Sequence, residues 1–217
     1  MKKFEFDIAP SILGTIFPNY RIKTKLQILN ILLETVRYTF SFPTFQVAKP
    51  NGKIVLIVDK MSRLFFYSDD KAYSVVFPFT TQEKDTGLHF FYQGININSY
   101  LISNLIGIIK SEAFMTGNSL DFSESIIDLE HENEDFMFIL RELILYEDGY
   151  VRFDFDEEGY NAAKDNGFEH RHPLHHFDLF YTSNATFKLG VENKLLIDDF
   201  IDILNINTDC KYMRNFK

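Results

Sequence analysis

The run Lys53-Ile54-Val55-Leu56-Ile57-Val58 constrains the fold more than any other feature, because it is apolar, β-branched and without polar alternation. Such a run is typical of a β-strand that is covered on both faces. Two further strand-like runs follow at 63–68 and 72–79, and only a few polar residues separate them. Short polar connections favour hairpins, so this part of the chain predicts an antiparallel meander.

Segments with helical periodicity lie on both sides of this meander. Apolar residues recur at steps of three and four within 20–40, and again within 99–110 and 194–205. These spacings predict three helices. The fold class that follows is α+β, an antiparallel, partly meandering sheet packed by three or more helices. A chain of 217 residues fits a single domain over 1–217, with possible sub-parts 1–118 and 119–217.

The composition of the chain indicates its cellular compartment and the kinds of partner it could bind. A single cysteine, Cys210, excludes an internal disulfide framework and fits a reducing compartment. No segment approaches the roughly 20 apolar residues that cross a bilayer, so we expect a cytoplasmic protein without membrane contact. The net charge of −9 disfavours sequence-blind nucleic-acid binding. Residues 1–63 nevertheless carry ten Lys and Arg against four Asp and Glu, which predicts either internal attraction to the acidic remainder or a basic surface for an acidic partner.

The C-terminal third begins with a predicted hairpin. The apolar stretch 136–146 leads into Asp148-Gly149, a dipeptide that favours a hairpin turn between two strands. The returning strand alternates, with Val151, Phe153 and Phe155 on one face and Arg152, Asp154 and Asp156 on the other. We expect polar loops at 157–167 and at 81–87, an exposed acidic segment at 121–135, and a further strand at 184–191.

Four of the six histidines lie within Glu169-His170-Arg171-His172-Pro173-Leu174-His175-His176-Phe177-Asp178. This stretch enters a predicted strand at about 174–181, in which His175 and Phe177 share one face and His176 and Asp178 share the other. If this strand pairs antiparallel with 151–155, the two polar faces meet on one side of the sheet. His172 would then lie near the end of the strand.

Such a constellation of imidazoles, carboxylates and guanidinium permits three chemistries. His172, His176 and either Asp154 or Asp178 could hold a divalent metal. His172 and His176 could instead act as acid and base in metal-free RNA cleavage, with Arg152 or Arg171 stabilising the phosphoryl charge. The same face could also bind an anionic ligand without chemistry. These alternatives leave the metal and any other cofactor unknown.

A purely structural interpretation stands beside these three. Histidines in front of a strand can be surface residues, and His176 with Asp178 can form a hydrogen-bonded pair. Arg152 with Asp154 can likewise be an ordinary ion pair. The functional hypotheses predict that the polar groups converge in one site, whereas the structural interpretation predicts that His176 has only backbone partners.

The strand Val151-Arg152-Phe153-Asp154-Phe155-Asp156, followed by His172-Pro173-Leu174-His175-His176-Phe177-Asp178 and a terminal helix, resembles a bacterial family of unknown function. That family carries an Arg-x-Asp strand and a His-Pro-x-x-His signature in its C-terminal half, and some members are encoded in phage-defence islands. The resemblance covers mainly 143–204. This chain has His176-Phe177-Asp178 where the family pattern continues His-x-His. The resemblance implies a genomic context and no particular reaction.

The leading hypothesis is therefore an accessory or effector component of a bacterial phage-defence system. It would bind a phosphate-containing ligand, nucleic acid or a partner protein through the polar sheet face, with Arg152, Asp154, Arg171 and His175 as ligand-binding residues. The alternative is a small nuclease or other hydrolase with His172, His176 and Asp178 as catalytic residues. A third hypothesis is a structural subunit that contacts a protein partner or a second copy of itself.

Overall fold

The computed structural model of the protein describes residues 1–41, 47, 49–60, 62–115, 134–179 and 188–212. These residues form an α+β fold built on an antiparallel sheet, as the sequence predicts. In chain order the elements are β1 (Lys2–Asp7), α1 (Pro10–Ile16), α2 (Lys25–Ser41), β2 (Lys53–Val58), β3 (Arg63–Tyr67), β4 (Lys71–Val76), β5 (Thr80–Lys84), β6 (Gly87–Tyr92), β7 (Ile95–Ile97), α3 (Ser99–Ile109), α4 (Glu112–Met115), α5 (Glu134–Leu145), β8 (Val151–Phe155), α6 (Glu157–Asp165), a 3-10 turn (Glu169–Arg171), β9 (His175–Asp178), β10 (Lys188–Gly190) and α7 (Ile197–Ile203).

The main sheet has seven strands in the order β1-β2-β3-β4-β8-β9-β10, and every neighbouring pair is antiparallel. The predicted meander is confirmed as β2, β3 and β4. A smaller meander, β5-β6-β7, forms a second sheet. Because β4 pairs with β8, the main sheet joins strands from both halves of the sequence.

Both faces of β2 are covered, which explains its uninterrupted apolar sequence. Ile54 and Leu56 belong to the larger core, which also contains the buried faces of α2, α3 and α5. Val55 and Ile57 belong to a smaller core on the opposite face, where Phe200 of α7 packs. The C-terminal helix predicted at 194–205 is thus confirmed, with bounds of Ile197–Ile203.

The predicted hairpin around Asp148-Gly149 is wrong in its first arm. Residues 134–145 form helix α5, and the residues that it buries are Phe136, Ile139, Leu140 and Leu143. Their spacing of three, one and three residues is that of one face of a helix. Burial of this face outweighs the local preference of Asp-Gly for a hairpin turn. Gly149 does adopt a positive φ of 53°, but it connects a helix to β8.

Two predicted loops are also wrong. Residues 157–165 form α6, because Asp156 caps its first turn and accepts a hydrogen bond from the Gly159 amide. Most of 81–87 belongs to the hairpin of β5 and β6. β5 is largely exposed, so its sequence lacks the apolar alternation by which a strand is recognised. The segment 116–133, which contains most of the predicted acidic stretch, and the first half of the predicted strand 184–191 lie outside the described residues.

Within the described ranges, no helix combines the length and the apolar character that a membrane span requires.

Candidate functional site

The candidate site is a buried polar cluster where β8, β9 and β10 meet. In the strand register Arg152 lies opposite Asp178, and Asp154 lies opposite His176. On the other side of β9, Lys188 of β10 lies opposite Asp178. The antiparallel pairing that the sequence suggested for the two strands is therefore present, and it places five polar side chains on one face of the sheet.

Alternation along the strands explains why these side chains share a face. Phe153 and Phe177 lie one residue away from the polar positions, on the opposite face, and both pack in the smaller core beside Phe200. Successive side chains of a strand point to opposite faces. Burial of the two phenylalanines therefore turns Arg152, Asp154, His176 and Asp178 towards the other side.

Arg152 is the central cation of the cluster. Its Nη2 atom lies 2.8 Å from Asp154 Oδ2 and also pairs with Asp178 Oδ2. Burial by itself lowers the pKa of Arg152, but the charges of Asp154, Tyr150 and Asp178 outweigh it and raise that pKa above its ordinary value. The guanidinium is thus held in one orientation by two carboxylates from neighbouring strands.

Lys188 supplies the second cation. Its Nζ atom lies 2.5 Å from His176 Nε2 and 3.6 Å from Asp178 Oδ1. The Lys188 side chain is 25% exposed, whereas that of His176 is fully buried, so Lys188 links the cluster to the surface. Two carboxylates and two cations leave the cluster with no net formal charge when His176 is neutral.

His176 is neutral at neutral pH, and the proton on its ring is at Nδ1. The Nδ1 atom lies 2.8 Å from the carbonyl oxygen of Pro173, which can only accept a hydrogen bond. Burial lowers the pKa of His176, and the charge of Lys188 lowers it further, against the opposing effects of the Pro173 carbonyl and the two aspartates. The Nε2 lone pair therefore faces Lys188 and Asp154, whose Oδ2 atom is 3.8 Å away.

Asp154, His176 and Asp178 also form a possible ligand set for a metal ion. One donor atom from each lies within 4.8 Å of the others, and all three residues are buried. An imidazole and two carboxylates suit divalent first-row metals.

Comparisons of the chain with protein-family models, with curated proteins and with solved structures gave no match. The resemblance to a defence-associated family accordingly stays a prediction.

The remaining predicted site residues lie around the cluster and not within it. His172 contacts the His176 ring edge-on, with ring centroids 5.2 Å apart, but its Nε2 atom is hydrogen-bonded to Asp156 Oδ2 at 2.7 Å. Arg171 lies over the ring of Phe168, 4.7 Å from its centroid. His175 is on the opposite face of the sheet, where it stacks on Phe155 with centroids 5.2 Å apart.

Lys188 was not among the residues selected from the sequence. Its position beside Asp178 depends on the pairing of β9 with β10. A strand was predicted over 184–191, and a hairpin with the preceding strand would have brought Lys188 to this edge. The register of that pairing has no signature in the sequence.

A cleft beside Arg152 opens on the same face of the sheet. It is lined by Lys71 and Tyr73 of β4, by Tyr150 and Arg152, and by the segment that follows α1, including Tyr20. Lys71 lies opposite Asp154 in the strand register, but Asp154 pairs with Arg152 instead. The lining of the cleft therefore includes Arg152, whose guanidinium is paired with two carboxylates, the exposed residue Lys71, and three tyrosines.

Proposed function

We propose that the chain binds a phosphate-containing ligand at the cleft beside Arg152, and that it does so as an accessory or effector component of a bacterial phage-defence system. The observation that carries the binding proposal is the joint lining of this cleft by Arg152 and Lys71. Two basic residues in the lining of one cleft favour an anion, and the planar fork of an arginine matches the geometry of a phosphate group.

The size of the cleft supports a single phosphate group as the bound moiety. Its volume is about 30 Å³, which accommodates about two water molecules. The rest of the ligand would extend outwards over Tyr20, a residue that is 55% exposed. A base or sugar placed there can stack on the Tyr20 ring, as in many single-stranded nucleic-acid sites.

The orientation of Arg152 further supports this role. Asp154 and Asp178 hold its guanidinium from the side of the cluster, so little conformational entropy is lost when a ligand pairs with it. This arrangement assigns the two carboxylates a positioning role. The defence context follows from the family resemblance alone.

Binding of inorganic phosphate and of a short single-stranded DNA oligonucleotide, measured by isothermal titration calorimetry, tests the proposal. Lys71→Ala is the informative variant, because Lys71 is exposed and its loss leaves the buried ion pairs intact. We expect it to weaken phosphate binding by about tenfold, the loss of one charge-assisted contact. Tyr20→Ala should weaken binding of the oligonucleotide and leave that of phosphate unchanged.

The matched control is Lys164→Ala, which removes an exposed lysine on α6, outside the cleft lining. If Lys71→Ala and Lys164→Ala bind phosphate equally well, the cleft is not the binding site. The hydrolase alternative from the sequence is either metal-dependent or based on His172 and His176, and phosphate binding does not test it. The structural-subunit hypothesis stays a prediction.

A further inference from the structure

We propose that Asp154, His176 and Asp178 form a binding site for a divalent first-row metal ion, in which the Lys188 ammonium is a displaceable internal competitor. This inference goes beyond phosphate binding at the cleft and does not depend on it. Four observations carry it: the donor geometry, the unpartnered oxygens, the state of the imidazole and the position of Lys188.

The donor atoms are spaced as metal ligands are. Metal–nitrogen and metal–oxygen bonds of about 2.0–2.2 Å place neighbouring ligands about 3 Å apart and opposite ligands about 4.4 Å apart. His176 Nε2 lies 3.8 Å from Asp154 Oδ2, within this range. All three donor atoms lie within 4.8 Å of one another, so an inward shift of at most about 0.6 Å for each atom brings all three ligands to one ion.

Two buried carboxylate oxygens lack a hydrogen-bond donor. Among the described residues, neither Asp154 Oδ1 nor Asp178 Oδ1 has a hydrogen-bond partner. Asp154 is 7% exposed and Asp178 is 3% exposed, so bulk water does not supply the missing hydrogen bonds. Asp178 Oδ1 has only the ammonium of Lys188 at 3.6 Å. A buried carboxylate oxygen without a hydrogen bond is costly, and coordination of the carboxylate to a metal ion would offset this cost.

The imidazole is already in the form that binds a metal. The Pro173 carbonyl oxygen fixes the proton of His176 on Nδ1, which leaves the Nε2 lone pair directed into the cluster. Metal-binding histidines commonly donate their other ring nitrogen to a backbone carbonyl in this way. No change of tautomer is needed before an ion binds.

Lys188 occupies the place of the ion. Its Nζ atom contacts His176 Nε2 at 2.5 Å and approaches Asp178 Oδ1 at 3.6 Å, so one ammonium interacts with two of the three ligands. A metal ion at this point would displace the ammonium. The side chain is 25% exposed, which gives it a path to solvent and the metal ion a path inwards. The donor set of one imidazole and two carboxylates suits Mn²⁺, Fe²⁺ or Zn²⁺ better than Cu⁺ or Ca²⁺.

The test is binding of Mn²⁺ and of Zn²⁺ to chelator-treated full-length protein, followed by calorimetry and, for Mn²⁺, by electron paramagnetic resonance. Asp178→Asn and His176→Gln remove one ligand each and should weaken binding by at least about tenfold. Lys188→Met removes the competitor and should tighten binding by about tenfold. Lys188→Gln serves as a second competitor-free variant that retains a hydrogen-bonding group.

Asp148→Asn is the matched control, because Asp148 is a buried aspartate that is ion-paired with Lys25 at 3.2 Å, outside the cluster. It should bind Mn²⁺ as the wild type does. Saturable binding that Asp178→Asn loses and Lys188→Met strengthens supports the site. The proposal is overturned if wild type and both Lys188 variants bind neither ion at about 1 mM, or if binding survives both ligand substitutions. Because no phosphate is present, a failure here is separate from a failure of phosphate binding.

Discussion

His176 donates a hydrogen bond from Nδ1 to the carbonyl oxygen of Pro173 across 2.8 Å. This bond runs from the last histidine of the His-Pro-x-x-His stretch, which lies in β9, back to the proline that precedes the strand. It fixes the orientation and the tautomer of a fully buried imidazole, so that its other nitrogen faces Lys188 and Asp154. The backbone carbonyl group of residue 173 therefore sets the tautomer of the imidazole in the cluster.

Arg152→Met should destabilise the protein strongly. The variant leaves Asp154 and Asp178 buried without the guanidinium that pairs with both. We expect the free energy of unfolding in urea to fall by about 3–5 kcal/mol, as for other broken buried ion pairs. The control is Arg141→Met, since the Arg141 side chain is 63% exposed and its ion pair with Glu142 is long, with the charged atoms 3.7 Å apart. Equal losses in the two variants would contradict a central role for Arg152.

Gly159→Ala should also destabilise the protein, although alanine is the better helix former. A Cβ atom at this position would lie 2.5 Å from His172 Nε2 and 2.6 Å from Asp156 Oδ2, so the His172–Asp156 hydrogen bond must move. Gly107→Ala in α3 is the matched control, because its Cβ would meet no atom within 4 Å. We expect Gly107→Ala to raise the free energy of unfolding by about 0.5–1 kcal/mol and Gly159→Ala to lower it by about 1 kcal/mol.

A double-mutant cycle isolates the contact between Gly159 and His172. In a His172→Ala background the ring is absent, so the same Gly159→Ala substitution should lose most of its cost. The measurement is urea denaturation of the four proteins. An unchanged cost in the His172→Ala background would show that the Asp156 carboxylate alone, and not the imidazole, restricts position 159.

Mn²⁺ should strengthen phosphate binding if both proposed sites exist. Replacement of the Lys188 ammonium by a divalent ion raises the formal charge of the cluster by one when the ammonium moves to solvent. Arg152 belongs to both the cluster and the cleft. We expect a rise in phosphate affinity of about tenfold, and by linkage an equal rise in Mn²⁺ affinity with phosphate. Calorimetric titrations of each ligand in the presence of the other measure this. Independent affinities would contradict the coupling.

Glu5→Gln should reduce stability near neutral pH and have little effect in acid. Glu5 on β1 lies 2.8 Å from Lys3 and 3.1 Å from Lys53, and hydrogen bonds from these lysines lower its pKa below the ordinary value. A carboxyl with a lowered folded-state pKa stabilises the fold above its unfolded-state pKa, and this contribution is lost as pH falls through the folded-state value. The exposed pair contributes less than about 1 kcal/mol.

Thermal melts of wild type and Glu5→Gln at pH 7 and pH 3, each at low and high salt, measure this contribution. We expect the difference in melting temperature to be visible only at pH 7 and low salt, since salt screens exposed charges. A difference that persists at pH 3 would show that Glu5 acts by packing.

The sequence by itself determined the class of fold and which residues of β8 and of β9 share a face. The uninterrupted apolar run of β2 and the alternation of β8 and β9 are local patterns, and each follows from which faces of a strand are buried. The same alternation placed Arg152 and Asp154 on one face and His176 and Asp178 on one face. Where a pattern was ambiguous, as at 136–146, a local Asp-Gly preference suggested a strand although the burial period is that of a helix.

Only the tertiary structure decided that His172 lies outside the cluster. Strand alternation already turns His175 away from His176, whereas His172 is held by a hydrogen bond between its Nε2 atom and Asp156. The tertiary structure also brought Lys188 to His176 through the pairing of β10 with β9. It placed Lys71 near Arg152 through the pairing of β4 with β8. Strand register depends on packing between distant segments, and a shift of one residue would reverse every side chain, so no local pattern specifies these contacts.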